Sequence, residues 1–141
     1  MIFADASALI AIMAGEQEAD EFSDLLAEHP IRLCSALSAW ETAAGLCRSF
    51  GMTPTPARAH VTRFMKAAEF SFVPIGEPEW EWAAAAYATY GKGRHKAGLN
   101  MGDCFAYACA KSRSARLLYK GNDFDLTDLA WPRTKDGGRK P

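Results

Sequence analysis

The 141-residue sequence predicts an α/β fold built on a short parallel sheet. Two observations carry that prediction. Brief, largely apolar runs read as strands: IFA at 2–4, IRLCS at 31–35, FSFVPI at 70–75 and ARLLYK at 115–120. Between them lie segments of helical periodicity, the crossover connections that parallel strands require. The brevity and apolarity of the runs suit strands covered on both faces.

After the first strand, ASALIAIMAG has helical spacing and stops at Gly15. EQEADEFSDLLAEH (16–29) puts Ala19, Phe22, Leu25 and Leu26 on one face, an amphipathic helix ended by Pro30. The second strand leads into SAWETAAGLCRSFG, a helix to Gly51. Pro54 and Pro56 punctuate a turn, and ARAHVTRFMKAAEF forms the next helix. The third strand is followed by EPEWEWAAAAYATYG, which begins with acids as the helix dipole favours. Its Trp80, Trp82 and Tyr87 are expected to serve packing, the usual fate of aromatics on a helix. GKGRHKAGLNMG (91–102) reads as a basic, glycine-rich loop, and LNMGDCFAYACAKS (99–112) as the entry and body of a helix. DFDLTDLA is a short last element. One domain is expected over residues 1–130, with 131–141 a flexible polar tail.

Composition is that of a soluble globular protein, with 49% hydrophobic and 23% charged residues. No apolar run approaches the ~20 residues of a membrane span. The N-terminus lacks a basic leader region and carries Asp5 within its apolar stretch, so a cytoplasmic location is expected. Cys34, Cys47, Cys104 and Cys109 lack CxxC spacing and read as buried reduced thiols, not a zinc site. The net charge of −1 hides an asymmetry. Residues 1–31 hold seven acids and no Lys or Arg, whereas residues 91–141 hold eleven of the sixteen basic residues and five acids. Most of this charge is expected on solvated surface, but the basic C-terminal third could track a polyanion.

Four acids stand where a parallel sheet would bind a ligand, outside the carboxyl ends of its strands. Asp5 closes the first strand, and Asp123 follows the fourth across a short turn. Glu41 and Asp103 lie early in helices that could open toward that edge. Each also has a local reading. Asp5 and Asp103 could be helix N-caps, Ser38 and Glu41 a capping box, and Asn122 and Asp123 turn residues. Clustered carboxylates repel one another unless a cation neutralises them, and an all-oxygen set suits Mg²⁺ or Mn²⁺. Such an ion lowers the pKa of a water and holds a phosphodiester for attack.

Four segments, in order, carry a resemblance: MIFADASALIAIMAGE, SAWETAAGL, YGKGRHKAGLNMGDCFAYACAKS and LLYKGNDFDLTDL. Together they resemble PIN-domain ribonucleases of the VapC toxin type, from bacterial toxin–antitoxin pairs, over nearly all of residues 1–130. The resemblance implies a three-layer fold with a parallel sheet of about four or five strands between helices. It also implies a Mg²⁺- or Mn²⁺-dependent endoribonuclease that hydrolyses RNA with metal-activated water, its acids matching Asp5, Glu41, Asp103 and Asp123. The chain departs from the pattern at Asn122, where similar toxins often carry a further acid. A homodimer and a small antitoxin, whose C-terminal segment fills the active-site groove, are the implied partners.

Ser7 and Asn100 flank two acids and could orient a carboxylate or a water, as could Asn122. Arg94, His95 and Lys96 could contact RNA phosphates or simply be a solvated loop. Two other classes remain open. A phospho-acceptor receiver domain would be expected to have adjacent acids after its first strand, where this chain has Asp5–Ala6–Ser7. A non-catalytic PIN-fold module that binds RNA or a partner is the second, although four acids would hinder a pure phosphate binder.

Overall fold

The computed structural model describes residues 1–140. Its strands are β1 (Ile2–Ala4), β2 (Arg32–Cys34), β3 (Phe70–Phe72) and β4 (Arg116–Leu118). They form one fully parallel sheet in the order β3-β2-β1-β4. Ile2 aligns with Arg32 on one side and Arg116 on the other, so β1 is central and all four strands end at the same edge. The helices are α1 (Ala6–Met13), α2 (Ala19–Ala27), α3 (Ala36–Phe50), α4 (Pro54–Ala67), α5 (Glu77–Tyr90) and α6 (Met101–Ser112). A 3₁₀ helix, Asp123–Leu126, follows β4. This is the expected α/β architecture, with four strands between flanking helices.

The core follows the apolar periodicity. Ile2, Phe3 and Ala4 of β1 are wholly inaccessible, as are Leu9 on α1 and Phe22 on α2. Leu117, Leu118 and Tyr119 close it from β4. Cys34, Cys104 and Cys109 are buried free thiols, and burial pushes those of Cys34 and Cys109 up to about 12. No helix among the described residues is long and apolar enough to cross a membrane.

The structure corrects three local expectations. Pro54 and Pro56 belong to the first turn of α4, not to the turn before it. Proline fits there because those amide protons have no partner within the helix. The third strand stops at Phe72 and is an exposed edge, with Phe72 itself exposed. On α5, Ala83 and Ala86 take the buried face, and Trp80, Trp82 and Tyr87 are exposed.

The segment after residue 130, polar in composition, folds back on the domain. Trp131 is 4% exposed and Arg139 6%. The Arg139 guanidinium lies 4.7 Å from the Phe22 ring centre and 4.9 Å from that of Tyr119, and it donates to the Tyr119 carbonyl. Its amide donates to Glu21 at 2.7 Å, tying the segment to α2. Pro141 lies outside the described residues. Trp131→Ala should therefore cost about 3 kcal/mol, the loss typical of a large buried aromatic. Urea denaturation measures it, and a loss below about 0.5 kcal/mol, the range of ordinary surface substitutions, would mean that the segment is undocked.

Candidate active site

Parallel strands deliver the candidate residues to one edge. Asp5 directly follows β1, and its amide donates to the Leu118 carbonyl of β4 at 2.9 Å. Asp5 is also the N-cap of α1, as its local reading suggested: its Oδ2 accepts from the Ser7 amide at 3.1 Å. The Ser7 hydroxyl donates to the same oxygen at 2.5 Å and accepts from the Lys120 amide at 3.0 Å. Ser7 thus links Asp5 to the turn that leads to Asn122 and Asp123. Both of those residues are exposed, at the start of the 3₁₀ helix.

Glu41 has no capping duty. The box at the start of α3 is formed by Ser35 and Ser38, not by Ser38 and Glu41. Glu41 sits further along the helix, four residues before Gly45 and so on the same face. A Cβ on Gly45 would lie 2.4 Å from Ile10 Cδ1, so α3 approaches α1 closely along that face. Neither oxygen of Glu41 hydrogen-bonds to a described residue, and its carboxylate rests against the bare Cα of Gly102.

Asp103 likewise is not the N-cap of its helix; Asn100 is. The Asn100 side chain accepts from the Asp103 amide at 2.9 Å, and Asp103 Oδ2 accepts from the Asn100 amide at 3.1 Å. That reciprocal pair leaves the second oxygen of Asp103 without a hydrogen bond among the described residues. Asn100 acts here on the helix end and through it on Asp103.

The four carboxylates lie in one another's field. Burial raises Asp5 above its ordinary value, and the charge of Asp123 adds to the shift. Burial pushes Asp103 to about 6, reinforced by Asp5 and Asp123. It pushes Glu41 to about 7, with help from Asp5 and Asp103. No lysine or arginine is among the charges acting on these three groups. Among the described residues, no three His, Cys, Asp or Glu side chains close on a single point at ligating distance. The acids are neighbours in an open cluster, not a finished coordination shell.

The basic loop is turned to other contacts. Arg94 lies 5.0 Å from the Tyr87 ring centre, and His95 meets Tyr90 edge-on at 5.3 Å. His95 Nδ1 accepts from the Ala97 amide at 3.1 Å, and Lys96 is exposed. Sequence reasoning did not single out Trp40, which is 68% exposed one residue before Glu41. It heads an apolar groove of about 730 Å³ between α3 and α4, lined by Ala43, Cys47, Pro54 and Val61. A large exposed aromatic beside a helix acid was the available signal. Gly102 was seen only as a neighbour of Asp103, although a glycine inside a helix is itself a signal of close approach.

The raised carboxyls make stability pH-dependent. Unfolded carboxyls titrate near 4, so between about 4 and 7 the folded chain holds protons that the unfolded chain has released. The contribution is complete below about 4 and is lost as pH rises through the folded values of about 6 and 7. Without added cation, the melting temperature should fall from pH 5 to pH 7.5, and Glu41→Gln should flatten that slope. A slope unchanged in Glu41→Gln would mean that Glu41 titrates normally.

Comparison with known proteins bears on the family and the fold. The PIN domain family profile matches residues 2–129. Ribonuclease VapC30 of Mycobacterium tuberculosis (strain H37Rv) is 41% identical over 126 residues, covering 89% of this chain and 94% of that protein. Ribonuclease VapC of Mycolicibacterium smegmatis is 40% identical over 126 residues, covering 89% and 95%. The crystal structure of M. tuberculosis VapC20, described as a sarcin-ricin loop cleaving toxin, has the same fold. It superposes with a TM-score of 0.69 at 19% identity, covering 89% of this chain and 93% of the other. A toxin–antitoxin complex from Klebsiella pneumoniae gives 0.66 at 18% identity, covering 92% and 94%. A PIN-domain match over almost the whole chain, with VapC relatives matched over more than nine tenths of their own length, leaves one assignment: this chain belongs to the PIN-domain family, among the VapC ribonucleases.

Proposed function

We propose that this chain is the endoribonuclease toxin of a toxin–antitoxin pair, cutting RNA at the cluster of Asp5, Glu41, Asp103 and Asp123. The observation that carries this reading is the gathering of Asp5, Glu41 and Asp103 at one sheet edge, raised by burial and then by neighbouring acids, with no lysine or arginine acting on them. Perturbed titratable groups collected in this way mark chemistry more often than architecture.

The donor set fits Mg²⁺ or Mn²⁺. It is all oxygen, and Glu41 and Asp103 keep oxygens free of hydrogen bonds to the described residues. Asp5 and Asp103 are the proposed principal ligands, with Glu41 and Asp123 completing the site directly or through water. Bound there, the cation supplies Lewis acidity, which neutralises a phosphodiester and makes a water more acidic. The chain's own residues hold the geometry. Ser7 fixes the Asp5 carboxylate, and Asn100 fixes that of Asp103. Asn122, next to Asp123 in the chain, is the proposed donor to a water, and Arg94, His95 and Lys96 are candidates for phosphate contacts beyond the acids.

A small antitoxin is the proposed partner. An apolar segment would suit the α3–α4 groove headed by Trp40, and a cationic side chain would suit the uncompensated acids. A homodimer is proposed as well, with Trp80 and Tyr87, which share one exposed face of α5, covered by a second copy.

The test is cleavage of total bacterial RNA by the purified, antitoxin-free chain with Mn²⁺, Mg²⁺ or EDTA. Asp5→Asn is the control, because asparagine caps a helix as well as aspartate does and removes only the charge. Cutting should require the metal and fall at least about 100-fold in Asp5→Asn, with the melting temperature kept within a few degrees. Metal-dependent RNA binding without any cutting would instead favour the non-catalytic binding module. Light scattering should give twice the 15.4 kDa chain mass, and Trp80→Glu should halve it. A wild-type chain that runs as a monomer would dismiss the dimer.

A further inference from the structure

We propose that Gly102 is a positioning residue for the acid site: its missing side chain is the seat of the Glu41 carboxylate. The inference rests on the ribonuclease reading above and deepens it. A Cβ built on Gly102 would lie 2.1 Å from Glu41 Oε2, 2.7 Å from Cδ and 2.8 Å from Oε1. No real pair of atoms tolerates such separations, so a side chain at 102 and the present place of the carboxylate exclude each other.

Backbone conformation does not account for this glycine. Gly102 is the second residue of α6 and is absent from the positive-φ glycines, which are Gly15, Gly51, Gly93, Gly98, Gly121 and Gly137. In a helix, glycine is among the poorest residues, and alanine would stabilise the same turn. What it provides is room for Glu41. Space at 102 lets an acid from α3 reach the first turn of α6, beside Asp103. Glu41 has no hydrogen bond to a described residue that would hold it, so contact with Gly102 is what locates it.

The atoms displaced by a Cβ are the end of a flexible side chain, not backbone. The fold therefore survives the change while the site does not, which separates positioning from stability. The experiment uses Gly102→Ala, Glu41→Ala and the double variant. Mn²⁺ affinity is measured by calorimetry, RNA cleavage by gel and stability by thermal melting. Gly102→Ala should keep or raise the melting temperature, and it should weaken Mn²⁺ binding about 10- to 100-fold, the range for losing a support of a metal ligand. In the Glu41→Ala background the same substitution should change neither binding nor cleavage, because the group it displaces is gone.

Wild-type Mn²⁺ binding and cleavage in Gly102→Ala would overturn the proposal. So would an effect that persists undiminished without Glu41. A wild-type chain that binds no Mn²⁺ would instead sink the cation reading. A crystal structure of metal-free Gly102→Ala still decides the positioning role in that case: a carboxylate moved away from residue 102 upholds it, and one left in place refutes it.

Discussion

Burial of carboxylates that the backbone forces together, with their mutual repulsion added to it, is the constraint on which this structure turns. Four parallel strands end at one edge, and the residues that leave it include Asp5 and the turn to Asp123. Two helices then bring Glu41 and Asp103 into the same field. Burial first, and like charge after it, raise Asp5, Glu41 and Asp103, the cost of assembling an anionic centre before its counter-ion is present. Such clusters persist where function demands them, because stability alone would disperse them.

The fold limits that cost by dividing the work of each oxygen. Asp5 gives Oδ2 to Ser7 at the start of α1, and Asp103 gives Oδ2 to the Asn100 amide at the start of α6. Helix N-termini welcome negative charge, so these two acids gain locally part of what they lose to one another. Glu41 has no such recompense and is among the most perturbed, at about 7. Architecture and chemistry therefore share side chains, and a cap and a ligand are not competing descriptions of Asp5.

Element order and the placement of Asp5 were legible in the sequence because both are written in neighbouring residues. Short apolar runs alternate with 3.6-residue periodicity, and an acid directly after a strand can be located without a fold. The cap at α3 was misread because Ser35 and Ser38 both suit the role, and only the point where β2 ends decides between them. The outward turn of Trp80 and Trp82 was hidden for a related reason. In an alanine-rich helix the small residues can take the buried face, and hydrophobicity alone does not rank Ala83 against Trp82. The docking of Arg139 on Phe22 and Tyr119 is a contact between distant parts of the chain, and nothing near residue 139 signals it. Gly102 lay in plain view, but its meaning depends on a carboxylate sixty-one positions earlier, across two helices.

The split between an acidic beginning and a basic end is bridged in part inside the molecule. Lys120 joins Glu16 and Glu18, Arg133 joins Asp125, Lys111 joins Asp128, and Arg139 lies near Glu21. Charges consumed in this way cast little field into solvent, least of all across the ~8 Å over which physiological salt lets a field persist. For a chain of net charge −1, attraction between the molecule as a whole and RNA then contributes little to encounter. Discrimination among RNAs falls to what happens after touch: the shape a strand must adopt to bring one phosphate to an anionic mouth that would otherwise turn it away.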